Sequence, residues 1–339
     1  MNSDAPTPHP LRLSIIIEWA NTRLNGQERA TELLQRLGRQ WQEILARDYP
    51  QAIPSEARPF LDSLDRRVEL LLVSSEALPA VTQDELRRRL PGTFDVGIHV
   101  AEGLEYYPLK TFGASLAGGD ILLFVDSDVL PDDGWLAHLL GSLARPDIHV
   151  VCGQTYVAPI DLWSRAFALG WTYTLRDPSG GLGTPSKFYA NSIAFRADAF
   201  RKTGFRPLGR RSRGAASLMR EDLGRLGMSV WENRAASVDH PPPSGFRHLV
   251  IRALAEGRDH YLKHSEQRSV RGLRESLALA AKRWARGFAR IHRDWRRAGL
   301  RRHEVPAALA VVSAYYGTTA LGGLLTHASP AFMGRHFRV

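Results

Sequence analysis

Cysteine is almost missing from this chain of 339 residues, where Cys152 stands alone. One thiol excludes an internal disulfide and a cysteine-rich metal site, and it fits a reducing compartment. No internal repeat divides the sequence. The lead Met1–Pro10 is polar and proline-bearing, without a basic start followed by an apolar run, so it lacks the layout of a secretory signal and reads as a short flexible segment. Acid is in deficit, with 35 Asp and Glu against 45 Lys and Arg. That imbalance favours an anionic partner, whether nucleic acid, an acidic lipid surface or a phosphate-bearing substrate. Hydrophobic residues make up 44% and charged ones 24%, which is enough apolar material for a substantial core and excludes disorder by composition.

Apolar runs sketch the fold. Leu13–Ile17 predicts a buried strand that closes on Glu18-Trp19-Ala20-Asn21. Leu33, Leu34, Leu37, Trp41, Ile44 and Leu45 recur at helical spacing across Gln27–Arg47. Further strands are predicted at Val68–Val73, Phe94–Val100, Asp120–Val125, from Val150, and at Phe188–Phe195, with a helix over Pro108–Leu116. Strands alternating with helices give an α/β class with a mainly parallel sheet. After His240-Pro241-Pro242-Pro243 the composition turns to arginine-rich helix, so the expected division is a lead over 1–10, a catalytic domain over 11–245 and a basic helical region over 246–339. Within the last, Val305–Thr326 carries no formal charge and is about as long as a membrane span, although its Gly, Thr, Ser and Tyr content speaks against one.

Chemistry concentrates beyond the clearest strand. In an open α/β sheet ligands collect outside the carboxyl ends of the strands, and Asp126-Ser127-Asp128 stands there. Two carboxylates one residue apart suit a hard cation, Mn²⁺ or Mg²⁺, that neutralises a nucleoside diphosphate, with one acid at the ribose and the other on the metal. Asp pairs in loops also serve simply as turn and helix caps.

The surrounding residues resemble family 2 glycosyltransferases, inverting enzymes of the GT-A fold that use nucleotide-sugar donors. The match lies in four places over the first 245 residues. Ser14–Asn21 is similar to the family's opening strand and loop, and Lys110 through Asp120 to its K-N-x-G…A-x-G-D turn. Phe124–Asp128 resembles its D-x-D block, and Glu221-Asp222-Leu223 its E-D pair. The resemblance implies a donor site with Lys110, Asp126, Ser127 and Asn191, a cation on Asp126, Asp128 and His240, and Asp222 as acceptor base with Glu221 orienting the acceptor. Glu221-Asp222 could instead be a first-turn pair favoured by a helix dipole. Lysine at a helix start is ordinarily solvated, Asn191 could be a strand residue satisfying nearby backbone, and a lone histidine before prolines is ordinarily a loop residue. The arginines of Arg206–Arg213 could close over phosphate.

Two departures bear on the base. Glu18 stands where the family has proline, and Ser74-Ser75-Glu76 where it has Asp-Asp-Gly, so Glu18, Ser75 or Glu76 could face the nucleobase, while the two glutamates could equally be exposed loop acids. A UDP- or GDP-sugar is the expected donor, with a saccharide, lipid-linked or small-molecule acceptor. No processive Q-x-x-R-W block is present, which favours transfer of a single sugar. The arginines between Lys282 and Arg302 alternate with Trp284, Phe288, Ile291 and Trp295, as in a helix on an anionic membrane surface or, equally, in one packed on the catalytic domain with its arginines in water. That points to a cytoplasmic protein at the inner membrane face. Nucleic-acid motifs are lacking. The competing expectation is a GT-A-like protein that binds nucleotide or anionic polymer without turnover.

Overall fold

The computed structural model describes residues 9–177, 179–185, 187–209, 211, 214–265 and 267–337. Nine strands form one sheet: β1 (Leu11–Glu18), β2 (Leu64–Ser74), β3 (Phe94–Val100), β4 (Ile121–Asp126), β5 (Leu130–Pro131), β6 (Val150–Tyr156), β7 (Leu182–Gly183), β8 (Ser192–Arg196) and β9 (Val230–Asp239). Their order is β3-β2-β1-β4-β8-β6-β9-β5, with β7 on β9. From β3 to β4 every pairing is parallel, as expected of strands linked by crossover helices. Beyond β4 the sheet becomes mixed, because β8 runs antiparallel to both β4 and β6. The sequence reading began that strand at Phe188, but pairing starts at Ser192, and β9 escaped it altogether. This is an α/β chain with a mixed central sheet and a helical C-terminal region.

Alternation along the central strands builds two cores. Leu13, Ile15 and Ile17 point to the face covered by α1 (Gln27–Leu45), while Ile16 points to the other. Leu123 and Val125 join the first layer, and Leu122 and Phe124 the second. Each such side chain contributes about 1.5–3 kcal/mol by leaving water. Helix α2 (Tyr106–Leu116) lies against β1 so closely that a Cβ on Gly113 would meet Ile16 Cγ2 at 2.6 Å. Helix α3 (Trp135–Gly141), wholly buried, follows the acidic tip.

A third core joins α4 (Leu162–Gly170) to the C-terminal helices α6 (Gly245–Leu262), α7 (Val270–Asp294) and α8 (Val305–Ala328), around Phe167, Trp171 and Tyr315. Between β8 and that region runs α5 (Ala215–Arg225). Arg302–Ala328 is long and apolar enough to cross a membrane, yet 39% of its most apolar window is buried inside the protein. Its small residues do that packing: a Cβ on Gly322 would lie 2.4 Å from the Leu254 carbonyl, and one on Gly257 2.0 Å from that of Thr319.

Candidate active site

The carboxyl ends of β1, β4 and β2 bring Glu18, Asp126 and Ser74 side by side, since Glu18 is in register with Asp126 on one side and Val73 on the other. Asp126 is buried and held from two directions. Tyr106 Oη donates to its carboxylate at 2.7 and 2.8 Å, and Lys110 forms an ion pair with it. Lys110 is fully buried, not solvated, and its ammonium also donates to the Ala190 carbonyl and, at 2.9 Å, to Tyr106 Oη. Three acceptors occupy its three N–H groups. Lys110 therefore fixes Asp126 and has no donor left for a phosphate.

Glu18 is completely buried and accepts from Ala20 N at 3.0 Å and Asn21 Nδ2 at 2.8 Å. Burial pushes its carboxyl well above the usual range, and Asp126 adds to that, with Lys110 opposing. Burial likewise raises Asp126, against the lowering effect of Lys110.

Asp128 differs. Burial raises its carboxyl too, with Arg252 and Arg29 opposing. Its partners are neutral amides, Asn25 Nδ2 at 2.7 Å and Asn21 Nδ2 at 3.4 Å, and Arg29 donates to its backbone carbonyl. His240, just past β9, places Nε2 4.0 Å from Asp128 Oδ2. Its Nδ1 faces the Pro241 carbonyl at 2.8 Å, which fixes the proton there and leaves Nε2 as a lone pair. Burial, then Arg252, lowers the imidazole to about 3, so it is neutral at ordinary pH.

A neutral imidazole whose other nitrogen is tied to a carbonyl, facing a carboxylate, has the character of a metal-ligand pair. Two bonds of about 2.1 Å span the gap. Among the described residues no third His, Cys, Asp or Glu joins them. Asp126, expected as a ligand, is instead committed to Lys110 and Tyr106. The residues thus fit a divalent cation with two protein ligands, its other positions left for substrate oxygens and water, as hard cations at phosphates commonly use.

The remaining expected residues divide. Ser127 is buried at the tip with Oγ unpartnered. Ser75 and the exposed Glu76 follow β2 directly, beside the Glu18 strand end. Asn191 accepts from Thr155 Oγ1 at 2.9 Å, and its carbonyl receives Asp126 N at 3.2 Å, so it braces the tip. Asp222 lies apart from this group. It sits in the last turn of α5, not the first, with Arg206 at 2.7 Å and Arg225 at 2.8 Å, and Glu221 beside it is exposed. Among the described residues no hydrogen bond or ion pair links Asp222 to Asp126, Asp128 or His240. Arg206 instead lines a cavity of about 810 Å³ that Tyr106, Tyr107, Phe112 and Phe205 also line. Arg210 and Arg213 of the expected phosphate-closing run lie outside the described residues.

Sequence reasoning missed Tyr106, Asn25, Arg29 and Arg252. One signal was available for Arg252: it is the lone cation within the apolar run Leu249–Leu254.

No curated protein sequence matches the chain. Among solved structures, the mannosyltransferase PcManGT from Pyrobaculum calidifontis in complex with GDP-Man and Mn²⁺ aligns at 17% identity and TM-score 0.49, over 96% of this chain and 90% of that one. GalNAc-T7 with UDP, GalNAc and Mn²⁺ aligns at 13% and 0.46, over 69% of this chain and 43% of that one. A mycobacterial protein aligns at 16% and 0.43, over 73% of each. Such scores describe a loose likeness from which no activity follows. The family model described as glycosyl transferase family 2 matches residues 98–204, a span that holds Lys110, Asp126, Ser127, Asp128 and Asn191 but neither Asp222 nor His240. That segment, which carries the acidic tip of the sheet, is similar to glycosyl transferase family 2.

Proposed function

We propose that this chain moves a single sugar from a UDP- or GDP-sugar to an acceptor hydroxyl with inversion at the anomeric carbon, and that it does so with a divalent cation. The observation that carries the reading is the open Asp128–His240 pair beside the locked Asp126–Lys110 pair, within one turn of the strand that the family segment contains. Asp128 and His240 would hold Mn²⁺ or Mg²⁺, which when bound neutralises the donor diphosphate. Asp126 and Ser127 would position the donor, Asn191 would hold the tip in shape, and Glu18, Ser75 and Glu76 would face the nucleobase. Asp222 would accept the proton of the attacking hydroxyl, with Glu221 orienting the acceptor. Arg206 and Arg225 both form ion pairs with Asp222 and fix its carboxylate in place.

Incubating the full chain with UDP- and GDP-sugars and Mn²⁺, and following release of nucleoside diphosphate, tests the proposal. Metal-dependent release from one donor, lost in Asp128→Ala, is expected. Stabilisation by donor without any release would instead favour the binding protein without turnover.

We further propose that the protein is cytoplasmic and works against an anionic lipid surface, taking a saccharide or lipid-linked acceptor there. The exposed Trp284 and Phe288 of α7, among its arginines, and the exposed Leu321 and Leu324 of α8 support this. Sedimentation with anionic but not zwitterionic vesicles is expected, and equal recovery with both would remove the electrostatic part of the proposal.

A further inference from the structure

Helix α6 belongs to the C-terminal region, yet it sends one side chain into the site. Arg252 stacks on the indole of Trp171, 4.9 Å from the ring centroid, and Trp171 in turn packs edge-on against His240 at 5.6 Å. Its Nε is buried without a hydrogen-bond partner, and among the described residues no side chain or carbonyl accepts from its guanidinium. The other cation near Asp128 is already paired: Arg29 donates to the Asp128 carbonyl and to Asp239, with which it forms a 2.7 Å ion pair. Lys110 is spent on Asp126.

A guanidinium held over an indole, with its Nε buried and unpaired beside a metal-ligand pair, is costly to keep unless something anionic arrives. Its planar fork matches the oxygens of a phosphate. We propose that Arg252 is the phosphate-holding residue of this site: it takes the terminal phosphate of the nucleoside diphosphate as that phosphate leaves the sugar. This rests on the donor reading above and deepens it. The ledger of charge supports the assignment. A divalent cation and the diphosphate diester of a donor cancel each other, and Asp128 and Arg252 cancel in the empty site. When the bond from the anomeric carbon to the phosphate oxygen breaks, its electron pair stays on that oxygen and adds one negative charge. Arg252 is the cation without a committed partner that can receive it.

Calorimetric titration of the full chain in Mg²⁺ tests the assignment, with UDP, GDP, the corresponding monophosphates and inorganic pyrophosphate as probes. Wild type should bind pyrophosphate and at least one diphosphate. Arg252→Gln should weaken both by about tenfold to a hundredfold and leave the matching monophosphate within about twofold. Arg252→Lys should fall between, and the melting temperatures of both variants without ligand check that they fold. Equal weakening of mono- and diphosphate, or no weakening of either, overturns the inference, as does a wild type that ignores pyrophosphate. Arg252-dependent pyrophosphate binding in a chain that transfers from no donor would sink the sugar-transfer reading and leave the phosphate site standing. Transfer that proceeds with Arg252→Gln at unchanged kcat and diphosphate affinity would do the reverse.

Discussion

Two acidic regions of this molecule are built on opposite plans. At the tip of β4 the carboxylates are buried, and each is defined by what surrounds it: Asp126 by a lysine and a tyrosine, Asp128 by two amides and an imidazole. At the end of α5, Glu221 and Asp222 stand near solvent at the wrong pole of a helix dipole, with arginines offsetting their charge. The first plan suits a fixed ligand frame, and the second a carboxylate that an acceptor can reach. The difference also separates what substitution should do. Removing a side chain from the tip should disturb folding and binding together, whereas on the proposed reading removing one from α5 should act mainly on the reaction.

The largest effect is expected for Asp128→Ala. It should lower kcat by about 10³-fold or more and abolish the rise in melting temperature that Mn²⁺ and donor give together. A retained rise would move the cation elsewhere. Next comes Asp222→Asn, which should reduce transfer by about 10²–10⁴-fold while donor affinity, read by titration, stays unchanged. Transfer near the wild-type rate would mean that another base serves the acceptor, and the contrast between the two regions would lose its chemical meaning.

A purely structural effect follows. Lys110→Met leaves Asp126 buried without its cation and should destabilise the fold by about 3–5 kcal/mol in chemical denaturation. A loss below about 1 kcal/mol would show the pair to be dispensable.

The smallest effect concerns pH. Glu18 is held well above the ordinary carboxylate range by burial, so the native chain keeps a proton that the unfolded chain releases. Stability from this group is therefore full below the unfolded value and declines as pH rises above it. Glu18→Gln should raise the melting temperature at pH 8 in the absence of metal and donor, and the gain should vanish toward pH 4. A gain independent of pH would point to packing instead of charge.

Much of the tip was legible in the sequence because its strands are continuous apolar runs ended by acids: Leu13–Ile17 before Glu18, and Asp120–Val125 before Asp126. Strand β9 was not, since Trp231, Glu232 and Asn233 are half-buried and no clean alternation survives. Lys110 was expected to contact the donor, with a solvated helix start as the alternative, and its locking role was hidden because its partners, Asp126 and the Ala190 carbonyl, are brought to it only by the sheet. The end of α5 was equally hidden. Nothing in Glu221-Asp222 itself says whether a helix begins or finishes there, and the arginine that pairs with Asp222 comes from a separate loop.

The glycine contacts between α6 and α8 have a mechanical result. Where main chain rests directly on main chain, at Gly257 against Thr319 and Gly322 against Leu254, no rotamer can yield to absorb a shift. Any push on the outer surface of α8 therefore travels as displacement of α6, where Arg252 lies two residues from the Leu254 contact.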